Sequence, residues 1–550
     1  MAWCYTHLSY YLILLAFGLW CYAFSRSLSF SGIVSFVGSN RTGILICAGL
    51  AIVLQLAVPT QFRVLSDESN LVAISKSMLF EHKVDKVTEG YWYHENYHPI
   101  SRSIDRRPLM FSFFTHLLHM VTGYQVWNAF AVNAIFLFAL LLISFFILHK
   151  LLSLPAAVAG VLFLASQPVV SQSGNAAGLE MSFTVLFLAC SAMIIGYWSD
   201  MTARRALLIW TTALVFAHTR YEAAALAAIL VLFMIIFKKL NWGTIRPYWP
   251  VYALSPLVGL PTIWLRLLSP TSSWKELPQG VSIFGPEHFF RNNRIVLEKL
   301  PDLSLYLPYN PVVNCVGLAG LLVFAVWFIR RHMTSSQLAA PAVLAVTLSL
   351  TFLWVLLTSY TMADLTEPTQ SRFFLPFIVL LTLSAAWLLH HIGLLKARMG
   401  AAWALGLCSM LIFFPVSIEN RFSDSRQFIR ENGHLTRFFE DVGDRNILII
   451  HSHPGLWTIH DYGAVNFKRA NRRHGPLLNM LNKGYYRDIY VVQRVDDSTG
   501  KPLKAFTLHP AFRMEKLDEF FNGGHSIRIS RVLKGPAEKA VPPARNVVLS

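Results

Sequence analysis

Long apolar stretches, separated by short polar connections, recur along the chain from Leu8 to Ser417. A helix that crosses a bilayer needs roughly 17 to 25 mostly apolar residues, which is the length of these stretches. The pattern therefore predicts an α-helical polytopic membrane protein with about twelve spans. The predicted spans lie near residues 8–25, 42–59, 126–148, 155–170, 179–198, 206–219, 221–237, 248–268, 312–329, 339–358, 373–391 and 400–417.

A group of polar residues interrupts one of these stretches at His218-Thr219-Arg220-Tyr221-Glu222. As a single helix, residues 206–237 would be about 48 Å long, which is too long for a hydrocarbon core of roughly 30 Å. We therefore predict two short spans that meet at a break around Arg220.

Two longer polar regions accompany the spans, a loop at 60–125 and a tail at 418–550. Within the tail, the apolar runs Asn446 to Ile450 and Asp488 to Val492 predict short buried strands, and Leu477 to Tyr485 predicts a helix between them. We expect residues 1–417 to form a membrane body that carries loop 60–125, and residues 418–550 to form a small soluble α/β domain.

Composition agrees with a membrane protein, because 54% of the residues are hydrophobic, 14% are charged and the mean hydropathy is +0.47. Soluble domains contain about 25% charged residues. The six cysteines lie in or beside apolar runs and imply no disulfide or zinc framework. The amino terminus lacks the basic segment and cleavage site of a signal peptide, so the first apolar run is expected to remain as an anchor.

The net charge of +17 is explained by orientation in a membrane, and we exclude nucleic acid as a partner. Basic residues concentrate in alternate short connections, whose only acid is Asp200. By the positive-inside rule these connections are cytoplasmic, and loop 60–125 and the tail face the other side. The basic residues concerned are Arg26, Arg41, Lys150, Arg204, Arg205, Lys238, Lys239, Arg246, Arg330, Arg331, Lys396 and Arg398.

An acid pair, Asp67-Glu68, opens the polar loop shortly after the second predicted span. Apolar residues follow at helical spacing, so the pair is expected at the start of an amphipathic helix that lies on the membrane. Two carboxylates there suit acid–base chemistry. Acidic residues are also common in the first turn of a helix for purely structural reasons, which leaves a capping role open.

At the far end of the same loop, Asp105 is surrounded by Arg102, Arg106 and Arg107. Guanidinium groups bind phosphate at the level of the lipid headgroups and keep a neighbouring carboxylate ionised. A phosphate site is one interpretation of this segment. An interfacial anchor that binds lipid phosphates without selectivity is the other.

These features resemble the GT-C superfamily of membrane glycosyltransferases that use polyprenyl-phosphate sugars, including protein O-mannosyltransferases and the aminoarabinose transferases of lipid A. Asp67-Glu68 is similar to the acid pair in their first outer loop, and Asp105 to Leu109 resembles their Glu-Lys-Pro-Pro-Leu-like segment. Pieces at Gly178-Leu179-Glu180, Thr219 to Glu222 and Arg372 to Pro376 follow in the family's order. The chain departs from the pattern by an additional span before the loop and by Arg107 in place of the first proline.

The resemblance implies an inverting hexosyl- or pentosyltransferase of the bacterial inner membrane, with its active site and tail on the periplasmic side. A polyprenyl-phosphate sugar is the implied donor, and a glycan, lipid or protein hydroxyl the acceptor. The resemblance leaves the need for a divalent metal ion open. It implies Asp67 as base with Glu68 and Asp105 beside it, and donor phosphate on Arg102, Arg106, Arg107, Arg220 and Arg372. Glu180 and Glu222 are candidate substrate contacts because ionisable groups at membrane depth are often functional, with snorkelling or pairing at helix ends as the alternative. Tyr97 and His98 are candidate contacts for the acceptor or the sugar, although aromatic and His residues are also ordinary at membrane interfaces.

Two other classes of protein have features in common with this sequence. A structural membrane scaffold with a soluble, partner-binding tail is one of them, but it would leave Arg220 and Arg372 without a purpose. A lipid or glycan transporter would also combine many spans with buried charge, but transporters usually place charges at the midplane of the membrane and often contain repeats. Here the candidates gather at one surface, which favours an enzyme. In the tail, His451, His453, His460 and Asp461 offer metal-ligand chemistry, although a polar cluster lining a loop is the preferred interpretation.

Overall fold

The computed structural model describes residues 1–27, 30–93, 96–268, 282–302, 304, 307–332, 340–396, 398–419 and 427–535. These residues form two compact units. The first comprises Met1–Arg63, Arg106–Leu118 and Trp127–Arg421, and the second comprises Val64–Asp105, His119–Val126 and Phe422–Ser550.

The elements up to the end of the membrane body are mostly helices. They are α1 (Ala2–Ser27), α2 (Phe30–Ala57), α3 (Leu65–Glu81), β1 (Asp85–Tyr93), β2 (Asn96–Ile104), α4 (Met110–Thr122), α5 (Trp127–Leu151), α6 (Leu154–Ala165), α7 (Pro168–Gly174), α8 (Glu180–Tyr197), α9 (Ala203–Ala217), α10 (Ala223–Ile236), α11 (Trp242–Ile245), α12 (Trp249–Leu268), α13 (Pro286–Lys299), α14 (Pro311–His332), α15 (Ala340–Thr358), α16 (Leu375–His391) and α17 (Met399–Glu419).

The tail alternates helices and strands. They are α18 (Gln427–Val442), β3 (Ile447–Ile450), α19 (Gly455–Thr458), β4 (Gly463–Val465), α20 (Phe467–Arg472), α21 (His474–Asn482), β5 (Asp488–Val495), β6 (Met514–Phe521) and β7 (Ser526–Val532). The two predicted strands and the helix between them are observed here as β3, β5 and α21, each with slightly shifted ends.

Each predicted span overlaps a helix, with ends shifted by a few residues, and the span at 155–170 is divided between α6 and α7; residue 339 lies outside the described residues. Nine helices among the described residues are long and apolar enough to cross a membrane. Counted as one broken span, the pair α6 and α7 makes a tenth. The two helices are bent by 73° at a break that precedes Pro168, and proline lacks the backbone N–H that a helix interior requires. The short helices α9 and α10 flank the predicted break. The chain is thus an integral membrane protein.

Small residues bring helices of the first unit close together. On α14, a Cβ added at Gly317 would lie 2.1 Å from the carbonyl oxygen of Leu381 on α16, and one at Gly320 would lie 2.3 Å from that of Ser384. Only glycine permits this close approach of the two backbones. The approach allows extensive van der Waals packing, which holds helices together in lipid, where no hydrophobic driving force acts between them.

The second unit contains a seven-stranded sheet in the order β2-β1-β4-β3-β5-β7-β6. Strand β3 is parallel to β4 and β5, and the other pairings are antiparallel. All four residues of β3 are buried, because central parallel strands are covered on both faces. The sheet combines the hairpin β1–β2 of loop 60–125 with strands of residues 418–550, two regions that the sequence analysis treated separately.

Candidate active site

A buried ion pair in the first unit joins Arg372 to Glu180. Arg372 lies in a short 3-10 turn, Ser371–Phe374, immediately before α16, and Glu180 is the first residue of α8. Arg372 Nη1 is 3.1 Å from Glu180 Oε1, and less than a tenth of either side chain is exposed. The pair thus joins the start of α8 to the turn that precedes α16.

A second buried ion pair occupies the break between α9 and α10. Arg220 Nη2 is 2.7 Å from Glu222 Oε1. The Arg220 guanidinium also lies over the rings of Phe183 and Phe373, 5.1 Å from each centroid, and Arg372 lies 5.0 Å from the same Phe373 ring. Phe373 therefore links the two ion pairs into one cluster of two arginines and two glutamates.

The hydrogen-bonding capacity of Arg220 is not filled within this cluster. Its side chain is 7% exposed, and its Nη1 is buried without a hydrogen-bond partner among the residues that the structure describes. A buried N–H with no partner costs about 1–3 kcal/mol. An anion that reached this atom would remove the penalty.

Arg220 lines a pocket formed by the start of α4, the break and α12. The backbone N–H of Met110 donates to the carbonyl of His218 at 3.1 Å and so fixes the start of α4 against the break. The lining residues are Pro108, Leu109, Ala217, His218, Arg220, Tyr221, Pro261, Thr262, Leu265 and Arg266. The pocket has a free volume of about 20 Å³, room for about one water molecule, and its walls combine apolar side chains with two guanidinium groups.

Arg266 is a member of this pocket that the sequence analysis missed. Its guanidinium donates to the Tyr221 carbonyl at 3.2 Å and lies 5.5 Å from the Tyr221 ring centroid. The residue falls near the end of the apolar run 248–268, on the side that the charge pattern places outside. The rule that marks ionisable residues in spans as functional candidates would have identified it.

Arg63 is another buried arginine to which the sequence analysis gave no role. It is 1% exposed and donates to Ser173 Oγ at 3.1 Å, to Ser371 Oγ at 3.4 Å and to the Pro368 carbonyl. These contacts fasten the turn that carries Arg372.

The acid pair lies in the first turn of α3, at a helix start as expected from the sequence, and α3 belongs to the second unit. Glu68 is 1% exposed and its Oε1 accepts the backbone N–H of Val64 at 3.2 Å, whereas Asp67 is partly exposed. Burial is not confined to one apolar face of α3, because Val72, Ala73 and Ser75 are buried as well. The helix packs against β1 and α19, so it is built into a protein core on more than one side.

The hairpin β1–β2 gives Asp105 and Arg102 neighbours that the sequence pattern did not indicate. Lys86 Nζ lies 2.7 Å from Asp105 Oδ2, and Arg102 pairs with Asp85 at 3.1 Å and with Glu81. The Arg102 guanidinium is therefore ion-paired with two carboxylates of its own unit. Arg106 and Arg107, in the segment before α4, are half-buried.

Tyr97 and His98 lie on β2. The Tyr97 hydroxyl sits against Gly90 of β1, where an added Cβ would lie 2.3 Å from it, and burial raises the pKa of Tyr97. The His98 ring is exposed and stacks on Tyr91, with centroids 5.4 Å apart. His98 is thus the more accessible of the two for a ligand.

The histidines of the tail make ordinary polar contacts. His451 Nδ1 accepts the Trp457 Nε1 hydrogen at 3.1 Å, and Asp461 pairs with Lys76. Within the described ranges, no group of three or more His, Cys, Asp or Glu side chains is placed to hold a metal ion.

Comparison with solved structures identifies the fold. The apo structure of ArnT from Cupriavidus metallidurans is similar with a TM-score of 0.51 and 13% sequence identity, over 90% of this chain and 98% of that one. ArnT from the same organism bound to undecaprenyl phosphate matches with a TM-score of 0.46 and 14% identity, over 89% and 98% of the two chains. The Archaeoglobus fulgidus oligosaccharyltransferase complex with Zn and sulfate matches with a TM-score of 0.47 and 12% identity, over 82% and 67%.

No protein-family profile and no curated protein sequence matches the chain. The similarity to the apo ArnT structure confirms the expected GT-C-like fold over nearly the whole chain.

Proposed function

We propose that this chain is a membrane glycosyltransferase that moves a monosaccharide from a polyprenyl-phosphate donor to a hydroxyl group of a glycan, lipid or protein. The main support for the proposal is the environment of the Arg220 side chain, in a chain whose fold is similar to that of ArnT. Its guanidinium is buried, its Nη1 has no hydrogen-bond partner in the described part of the chain, and it lines a pocket with Arg266.

The donor phosphate is assigned to this pocket. Glu222 neutralises Arg220, so the net positive charge of the pocket comes from Arg266, which pairs with a backbone carbonyl. Arg106 and Arg107 immediately precede the pocket residue Pro108 and add positive charge nearby. Arg372 contributes through the cluster around Phe373.

Arg102 is not retained among the phosphate ligands that we propose. Its guanidinium already binds two carboxylates, Glu81 and Asp85. Glu180 and Glu222 are assigned the task of holding Arg372 and Arg220 in place, and His98 that of an acceptor contact. Tyr97 packs in the sheet.

The reaction proposed is a single displacement with inversion. The acceptor hydroxyl attacks the anomeric carbon, its proton passes to Asp67, and the bond from the anomeric carbon to the phosphate oxygen breaks. The electron pair leaves with the polyprenyl phosphate, whose charge the arginines stabilise. Glu68 supports the first turn of α3 through its bond to Val64.

The shared sheet supports the proposal that loop 60–125 and the tail lie on the same side of the membrane. Gly90 of β1 pairs with Ala464 of β4, so residues 64–105 and 427–535 belong to one folded unit and occupy the same side of a bilayer. The basic connections assign that side to the exterior, which in a bacterial inner membrane is the periplasm.

The experiment that tests this proposal uses the full chain in proteoliposomes with a panel of polyprenyl-phosphate sugars carrying a labelled sugar. A transferase releases polyprenyl phosphate and passes the label to an acceptor. A transporter, the rival function, moves the donor between leaflets with the sugar still attached. Movement without cleavage across the whole panel would refute the proposal.

Arg220→Gln supplies the site-specific arm of the experiment. Hydrogen bonds to charged groups contribute about 1.5–3 kcal/mol, so donor affinity should fall roughly tenfold to hundredfold. Arg205→Gln is the matched control, because Arg205 pairs with Asp200 at the opposite end of α9. Donor affinity should be unchanged in the control variant.

A further inference from the structure

Three segments from the first 125 residues converge on a turn of the tail formed by Thr458, Ile459, His460 and Asp461, which we call the 458–461 turn. Lys76 Nζ, on α3, donates to the Thr458 carbonyl at 2.6 Å and to Asp461 Oδ1 at 2.7 Å. Trp92 Nε1, on β1, donates to the Asp461 carbonyl at 2.6 Å. The Tyr124 hydroxyl donates to the Ile459 carbonyl at 2.5 Å. All of these residues belong to the second unit.

The conformation of the turn depends on Asp461. This residue has a positive φ of 63°, in the left-handed region that Asp and Asn enter more readily than other non-glycine residues. In this conformation the Asp461 carboxylate accepts a hydrogen bond from Lys76, and the Asp461 backbone carbonyl accepts one from Trp92 Nε1. A substitution that preserves the turn but removes the charge is therefore Asp461→Asn.

The pair of Lys76 and Asp461 is mostly removed from water, with 18% and 27% of the side chains exposed. Burial lowers the pKa of Lys76, and Asp461 partly opposes this effect by stabilising the ammonium. Removing one partner from such a pair leaves the other charge uncompensated, which costs more than the pair contributes. The pair therefore restricts where α3 can lie relative to the turn.

We propose that the 458–461 turn positions the acid pair of α3, with Lys76 and Asp461 acting as positioning residues for Asp67 and Glu68. Lys76 follows Asp67 by nine residues, which corresponds to about 13.5 Å along a helix. A helix transmits a change in its orientation over this distance, so the tail forms part of the scaffold for catalysis. This inference rests on the proposed glycosyltransferase function.

The kinetic test compares Asp461→Asn, Lys76→Met, the double variant and Lys76→Arg in the full chain. A misplacement of about 1 Å can cost about a hundredfold in rate, so kcat should fall roughly tenfold to hundredfold in the two single variants. Donor affinity should stay within about twofold, because the phosphate is assigned to arginines outside this unit. The double variant should be no slower than the slower single variant, and Lys76→Arg should recover most of the rate.

Arg494→Gln is the matched control for a purely structural effect. Arg494 on β5 pairs with the buried Glu431 of α18 at 3.0 Å, a contact between two elements of the tail. The control variant should lower the melting temperature with kcat unchanged. If Asp461→Asn and Lys76→Met also lower the melting temperature with kcat unchanged, the pair is structural and the positioning role is wrong.

Hydrogen exchange separates this inference from the proposed function. In full-length protein, amides in the first turns of α3 should exchange faster in Asp461→Asn than in the natural sequence or in Arg494→Gln. Equal exchange in all three proteins would overturn the positioning role, whatever the reaction. Failure of the unaltered protein to transfer sugar from any donor would overturn the proposed function, while the exchange result would still decide how α3 is held.

Discussion

The two carboxylates at the start of α3 differ in their surroundings, and this difference predicts unequal effects of removing their charge. Glu68 is buried and accepts the Val64 N–H, one of the N–H groups that a helix start leaves without an intrahelical partner. Asp67 is partly exposed on the same turn. We therefore expect Asp67→Asn to abolish proton acceptance and Glu68→Gln to preserve most of the structure.

The magnitudes follow from what each substitution retains. In Glu68→Gln, the new side chain keeps an oxygen that accepts the Val64 N–H and loses the charge near the helix start, which at a buried site is worth up to about 2 kcal/mol, or at most about thirtyfold in rate. In Asp67→Asn, the amide keeps size and hydrogen bonding but cannot take a proton. Since a positioned base contributes roughly 10²- to 10⁴-fold, turnover should fall at least about a hundredfold.

The assay measures single-turnover sugar transfer, donor binding and expression level for both variants in parallel. Donor binding should be unchanged in Asp67→Asn, so that the loss falls on the chemical step. Near-normal turnover in this variant would remove Asp67 as the base. Asp105 would then be the leading candidate, although its bond to Lys86 would first have to break.

Three further predictions concern topology, donor binding and pH. A cysteine placed at Ser498, which is exposed in the tail, should react with an impermeant thiol reagent in intact cells; labelling only after the membrane is broken would refute the predicted orientation. Arg372→Ala and Arg106→Ala should each weaken donor binding about tenfold or more, measured by donor titration, and unchanged affinity in both would leave the phosphate to Arg220 and Arg266. Burial raises the pKa of Glu431, but His451 and Arg494 together outweigh it, so the folded pKa lies below the usual 4.5. Glu431 therefore stabilises the fold above that pH and loses this effect as the pH falls through the lowered pKa. The melting temperature of Glu431→Gln should accordingly lie below that of the natural sequence at pH 7, with the difference shrinking below pH 4.5.

The spans were predictable because their cause is local. A bilayer requires every backbone group to be satisfied within the segment, so length and apolarity alone identify a spanning helix. The break between α9 and α10 was also predictable, since one helix over residues 206–237 would be about 48 Å long against a hydrocarbon core of roughly 30 Å. The bend at Pro168 has a local cause as well.

The sheet of the second unit could not be derived in this way. Gly90 and Ala464 are hydrogen-bonded neighbours although more than 370 residues separate them in the sequence. A strand pattern reveals which residues prefer extended structure but not which distant strand completes the pairing. The contact between Lys76 and Asp461 depends on this strand pairing. The sequence around either residue therefore could not predict the contact.

The arginines illustrate the same limit for the site. Charge, position in the chain and the family resemblance identified Arg102, Arg106, Arg107, Arg220 and Arg372 as candidates, without information on their partners. The structure distinguishes them by their partners. Arg102 is bound by Glu81 and Asp85, whereas Arg220 retains a buried N–H that meets no acceptor among the described residues.

The energetics of the Phe373 cluster favour ligand binding over stability as its purpose. Buried ion pairs are weak stabilisers, because desolvation offsets most of the attraction, and apolar side chains of similar size often do as well. Two such pairs around one phenyl ring, with an unfilled N–H on Arg220, cost the folded state free energy without ligand. In the proposed reaction, a phosphate oxygen at that N–H would recover the desolvation cost when the donor binds. The same contact would grow stronger as the sugar leaves and charge accumulates on the phosphate, so the cluster would stabilise the departing group more than the intact donor.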